Sequence, residues 1–269
     1  MKYKRYFLLA SVLLLASALF FACKHDAGGN PTIPVPGGEK AKGLPRDGSF
    51  LKVPAKNDGT VKAFWMCEHE VTQEEYKEVI GSTPSKFTSN PADGEIQEKR
   101  PVDYVSWLTA IKYCNERSER EGLEKCYTIN SNISTCDFTK SGYRLPTKEE
   151  WEHAARAGIE GDLPYSGAEA PSDTNKDDYA WHNGNSAGKT HEVMKKKPNK
   201  WGFYDMSGNV AELIWTAKTK GTGQTDVLGG NYDRGFSGGL VTSGVVDYNN
   251  GDGPIYKSNG FRVCRNVTE

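Results

Sequence analysis

From Gly158 onward the sequence keeps almost no helical period, and this constrains the fold most. The stretch is a succession of Gly, Asn and Asp turns separated by short apolar pieces, such as Val210 to Trp215 and Phe261 to Val263. Upstream, three amphipathic segments have clear starts. Thr72-Gln-Glu-Glu75 is a capping box followed by Tyr76, Val79 and Ile80 on one face. After Ser106, the residues Trp107, Ala110, Ile111 and Cys114 fall at helical spacing. Thr147-Lys-Glu-Glu150 is a second capping box, with Trp151, Ala154 and Ala155 as its apolar stripe. Helices early and irregular chain late predict an α+β domain rich in non-repetitive backbone. The 29 glycines agree with that expectation.

Such a domain must bury loops, and buried loop backbone needs partners. Arg144, Glu150, Arg156, Asp205, Asn209 and Arg262 are polar yet sit among aromatics, so they are expected to be internal staples. The net charge of -1 gives no basic field for nucleic acid and no acidic excess for disorder.

The N-terminus reads as a targeting segment. Lys2, Lys4 and Arg5 precede an apolar run from Tyr6 to Ala22, short for a membrane span, that ends at Ala22-Cys23. Residues 1–22 are expected to be a lipoprotein signal peptide, with Cys23 as the acylated residue. Residues 23–45, polar and rich in Pro and Gly, are then a flexible tether. The domain proper is expected over 46–269. This predicts a membrane-anchored lipoprotein of the outer membrane or cell surface. Cys126 and Cys136 flank an expected hairpin; whether they bridge is left open.

Five stretches, in order, resemble the formylglycine-generating-enzyme (sulfatase-modifying-factor) family. They are Phe64-Trp-Met-Cys-Glu-His-Glu-Val-Thr72, Arg100-Pro-Val-Asp-Tyr-Val-Ser-Trp107, Tyr143-Arg-Leu-Pro-Thr-Lys-Glu-Glu-Trp-Glu-His-Ala-Ala-Arg156, Pro198 through Glu212, and Gly260-Phe-Arg262. The resemblance implies a C-type-lectin fold with short helices around small antiparallel sheets and long loops. In the family, oxidation of a substrate cysteine uses copper held by two cysteines late in the domain. Here Asp233 to Tyr256 contains neither cysteine nor histidine, and copper(I) needs soft ligands. Cys264 reads as a buried strand cysteine. No enzyme activity is therefore expected. The alternatives are an oxidase of the formylglycine-generating class with an altered site and an accessory structural lipoprotein. The resemblance also implies structural calcium at Asn209, Val210 and Glu212, unless Glu212 only accepts loop N–H bonds. Binding is expected to require no cofactor.

The stretch LGGNYDRGFSGGLVTSGVVDYNNGDGPIY, Leu228 to Tyr256, contains no Lys, Glu, Gln, Met or Trp. It lies just before the closing Gly-Phe-Arg. Place and composition resemble the variable proteins of diversity-generating retroelements, among them treponemal-type variable lipoproteins. There, adenine-directed mutagenesis of Asn-type codons ending in a pyrimidine cannot yield those five residues. The resemblance implies a variable ligand-binding segment at about 228–260. Tyr232, Asp233, Arg234, Phe236, Val246, Asp247, Tyr248, Asn249, Asn250, Asp252, Ile255 and Tyr256 are the expected contacts. Tyrosine among Gly, Ser and Asn suits a paratope-like surface, and aromatics or Arg are the expected hot spots. The expected partners are an unknown protein or glycan, and the membrane through the lipid.

Overall fold

The computed structural model describes residues 44, 46–130, 134–216, 224–234, 244–247 and 258–267. Cys23, the signal segment and the tether lie outside the described residues.

The three expected helices form where their caps place them. α1 (Gln73–Ile80) starts at Thr72, whose side chain accepts from the Glu75 amide while the Glu75 carboxylate accepts from the Thr72 amide. α2 (Trp107–Arg120) starts at Ser106, with Thr109 as the reciprocal partner. α3 (Lys148–Arg156) starts at Thr147, capped by Glu150. Trp107, Ala110, Ile111 and Cys114 are buried, as are Trp151, Ala154 and Ala155. The α1 face is narrower than its spacing suggests. Tyr76 is buried, but Ile80, the last residue before the left-handed Gly81 cap, is 37% exposed. A short α4 (Lys176–Tyr179) follows in the loop-rich half.

Eleven described strands make three sheets. A five-stranded sheet has the order β1-β2-β3-β11-β6, with β1 (Arg46–Asp47), β2 (Phe50–Val53), β3 (Phe64–Cys67), β6 (Tyr143–Arg144) and β11 (Cys264–Asn266). A four-stranded sheet has the order β10-β7-β8-β9, with β7 (Ala211–Leu213), β8 (Gln224–Leu228), β9 (Gly244–Asp247) and β10 (Asn259–Gly260). β4 (Tyr127–Ile129) and β5 (Ser134–Cys136) form a hairpin. The pairs are antiparallel except β10 with β7, which is parallel. A parallel pair needs a crossover between its strands, and here that crossover contains β8, β9 and the candidate segment.

The five-stranded sheet divides the core in two, because side chains alternate across a strand. Phe50 and Cys67 face α1, α2 and Phe261. Leu51, Val53, Phe64, Met66 and Cys264 face α3, with Trp151 at its centre. Phe261, Arg262 and Val263 form no strand. They link β10 to β11 as fully buried irregular chain, and their carbonyls are used: Val71 N–H donates to Phe261 and Cys67 N–H to Val263.

Five of the six expected staples are buried: Arg144, Glu150, Asp205, Asn209 and Arg262. Arg156 is the exception. It is half-buried in the last turn of α3 and donates to the Gly161 carbonyl. Cys126 and Cys136 are both free thiols. The register pairs Cys136 with Tyr127, not with Cys126.

Candidate functional site

The candidate segment has two fixed ends. At its start, Leu228 is buried and Gly229 adopts φ 88. A Cβ on Gly229 would lie 3.0 Å from the Met206 carbonyl and 3.2 Å from the Trp151 ring, so close packing and left-handed backbone both call for glycine. Tyr232 N–H donates to the Asn209 carbonyl at 2.9 Å, and Ser186 Oγ donates to the Tyr232 carbonyl at 2.7 Å. At its end, Ala211 N–H donates to the Ser258 carbonyl and Val105 N–H to the Asn259 carbonyl. Asn231 spans the gap: its Nδ2 donates to Ser258 Oγ at 3.0 Å, and its Oδ1 accepts from the Asp233 amide. One buried amide side chain thus holds both ends of the segment together.

The expected contact residues do not share one fate. Asp233 and Arg234 are exposed. Tyr232 is 4% exposed, with its ring edge-on to Phe87 at 5.3 Å. That corrects the expectation of an exposed hot spot: Tyr232 is packed into the base. Burial first, then the nearby Asp103 and Asp233 carboxylates, push its phenol up to about 12. Val246 and Asp247 belong to β9, paired with Thr225 and Gln224, so part of the segment is sheet, not loop. Phe236, Tyr248, Asn249, Asn250, Asp252, Ile255 and Tyr256 lie outside the described residues.

Beneath the fixed ends lies a buried charged network. Arg262 grips Glu212 through Nε at 2.7 Å and Nη2 at 2.6 Å, and the Trp151 indole N–H donates to the same carboxylate at 2.8 Å. The remaining Arg262 donors reach the carbonyls of Cys67 and Tyr204. Glu70, which sequence reasoning did not single out, accepts from the Val210 amide at 3.0 Å and from Asn209 Nδ2 at 2.8 Å. Asn209 Oδ1 accepts from the His191 amide. Both Glu212 oxygens and the Asn209 side chain are spent inside the protein, and Val210 turns its N–H to Glu70. Among the described residues, no group of three or more His, Cys, Asp or Glu is arranged to hold a metal.

The network carries more acid than base. Burial and the carboxylates of Asp205 and Glu212 raise Glu70 well above the usual range. Burial raises Asp205 to about 6, against the pull of the Met194 amide and Arg262. One Asp205 oxygen accepts from the Met194 amide; the other has no partner.

Four of the five described thiols are poor nucleophiles. Burial pushes Cys126 up to about 11 and Cys136 to about 12, and also raises Cys114 and Cys264. A neutral thiol is a weak nucleophile and metal ligand. Cys264 is fully buried in β11 beside Arg144, whose Nη1 lies 3.0 Å from its sulfur. The same guanidinium is held bidentately by Glu150, the α3 capping residue. The described histidines have protein partners: His69 the Glu70 carbonyl, His153 that of Pro54, His182 Asp177, and His191 both Glu95 and Ser186.

Short capped helices around small sheets, with buried irregular loops stapled by Arg–carboxylate pairs, define the C-type-lectin fold of the formylglycine-generating type. Residues 22–267 match the sulfatase-modifying factor enzyme 1-like domain, and the chain belongs to that family. It is similar to the "Chaperone protein LppX" of Paenibacillus barcinonensis, 36% identical over 189 residues, covering 58% of this chain and 63% of that one. It is also similar to the "Inactive C-alpha-formylglycine-generating enzyme 2" of Mus musculus, 34% identical over 146 residues, covering 51% and 39%. The chain thus spans less than two thirds of the length of these two relatives. Among solved structures, it superimposes on Treponema denticola variable protein 1 with a TM-score of 0.67 and 33% identity, covering 77% and 85% of the two chains. The resemblance to variable proteins therefore holds. The described helices include none long and apolar enough to cross a membrane.

Proposed function

We propose that this chain is a membrane-tethered, surface-displayed lipoprotein whose segment at about 228–260 is a diversified ligand-binding surface, and that it catalyses nothing. The observation that carries the reading is the contrast at Asn231. That residue clamps both ends of the segment, while Asp233 and Arg234, next in sequence, stay exposed. Such an anchorage lets a segment change its side chains without losing its scaffold. Relatives named as inactive, as a variable protein and as a chaperone support a non-catalytic role. Acylation at Cys23 provides the anchor, at the outer membrane or cell surface, and several acyl chains hold stably at about 0.8 kcal/mol per buried CH2. The ligand is a protein or glycan, not nucleic acid, and binding needs no cofactor.

Two measurements test this. The gene should lie near a reverse transcriptase and a near-copy of its own 3′ end; a neighbourhood holding neither removes the diversified segment. The purified chain loaded with copper should not oxidise a cysteine-containing peptide. Turnover above the copper-only control would establish an oxidase.

A further inference from the structure

We propose that Arg100, Asp103, Tyr104 and Tyr232 form a fixed subsite beside the C-terminal face that takes a backbone amide of an extended peptide ligand. The inference deepens the binding reading above and rests on it.

Two buried polar atoms here are unsatisfied. Arg100 is fully buried. Its Nε donates to Thr190 Oγ1 and its Nη1 to Ser89 and Gln97, but Nη2 has no partner. Asp103 is also fully buried. Its Oδ1 accepts from the Lys86 amide, and Oδ2 has no partner. One is a donor and the other an acceptor, yet they do not satisfy each other. Folded proteins pair such groups unless a ligand, water or function accounts for them.

A second, independent feature is the next residue in the chain. Tyr104 is half-exposed and sits at φ 61, a left-handed conformation unusual for a bulky residue. Strain of this kind gathers at ligand clamps. The surroundings are otherwise aromatic: the Phe87 ring lies 5.1 Å from the Arg100 guanidinium and 5.3 Å from the Tyr232 ring. The place is continuous with the candidate face, because Val105 is bonded to Asn259 and Tyr232 opens the segment.

The chemistry selects the ligand group. It must accept one hydrogen bond, donate one, and lie flat among rings. A peptide unit does all three. A sugar brings several hydroxyls, and an aromatic wall would leave most of them unpaired. Both orphan atoms are buried. Binding therefore requires local movement, and Tyr104, beside Asp103 in the chain and held in left-handed backbone, is the residue whose displacement would relieve strain.

The test selects a phage-displayed library of random peptides on the full chain. Fluorescence anisotropy then measures the recovered peptides against wild type, Asp103→Asn, Tyr104→Gly and the Asp233→Ala/Arg234→Ala double variant, with thermal melts as the folding control. Asp103→Asn keeps an oxygen for the Lys86 amide but loses the free acceptor, and should weaken binding about tenfold or more. Should that variant fail to melt cooperatively, Tyr104→Gly decides: glycine tolerates the left-handed backbone and removes the side chain that must move, so tighter binding there supports the subsite. Unchanged affinity in both variants overturns it, as does recovery of no peptide alongside binding to a glycan array. Loss only in the double variant keeps the C-terminal face and overturns the subsite. Loss in Asp103→Asn with the double variant unaffected keeps the subsite and overturns the face.

Discussion

Arg234 and Arg262 are the same residue type near the two ends of one segment, and their environments are opposite. Arg262 is fully buried, with its donors on Glu212 and two carbonyls. Arg234 is exposed, and the bonds that fix it are made by its backbone: N–H to the Asn231 carbonyl, and its own carbonyl to Asn183. The difference separates two tasks. A buried guanidinium must be paired, because an uncompensated buried charge costs several kcal/mol. An exposed one is already solvated, so its identity is free to serve recognition. The fold is fixed by the first kind of residue and leaves the second kind open to change.

The sharpest way to break that contrast is to strand Arg262. Glu212→Gln removes its counter-charge and should cost about 3–5 kcal/mol in urea denaturation. A loss under 1 kcal/mol would show that the network is not structural. Trp151→Ala, which empties the centre of one core and removes a donor to Glu212, should cost a similar ~3–5 kcal/mol.

The acid excess gives a pH signature. Asp205 is raised to about 6 in the folded chain, above its unfolded value, so folding favours its protonated form. Its contribution is present in full below the unfolded value and is lost as pH rises through about 6. Thermal melts should show stability falling between about pH 4 and pH 7, by on the order of 2 kcal/mol. Asp205→Asn should flatten that slope; a slope unchanged in the variant would assign it to other groups.

Smaller effects belong to the rim. Asn231→Ala loses the bonds to Ser258 and Asp233 and should cost about 1 kcal/mol. Asp233→Ala with Arg234→Ala should stay within about 0.5 kcal/mol of wild type. A large loss in that double variant would mean that the face is part of the core.

The three helices were legible in the sequence because their signals are local. A capping box is written within four residues, and a buried stripe within two turns. The internal staples were legible as a class, since charged residues among aromatics in a glycine-rich chain have few other uses. Arg156 and Ile80 did not follow, because the last turn of a helix faces inward only where the chain beyond it covers that turn. Tyr232 went the other way: its composition suits a binding surface, but Phe87, far away in sequence, supplies a ring for it to pack against.

The sequence by itself determined where helices start, that loops are buried and stapled, and that no thiol or imidazole lies between Asp233 and Tyr256. Those are properties of residue type and short spacing. Tertiary structure alone decided which carboxylate each arginine holds, that Glu70 meets Asn209 and Val210, and that Arg100 and Asp103 each keep one unpaired atom. Partners in a loop-rich domain are brought together across the chain, Glu70 with Val210 or Glu212 with Arg262, and no local pattern records which distant groups will share a dry interior.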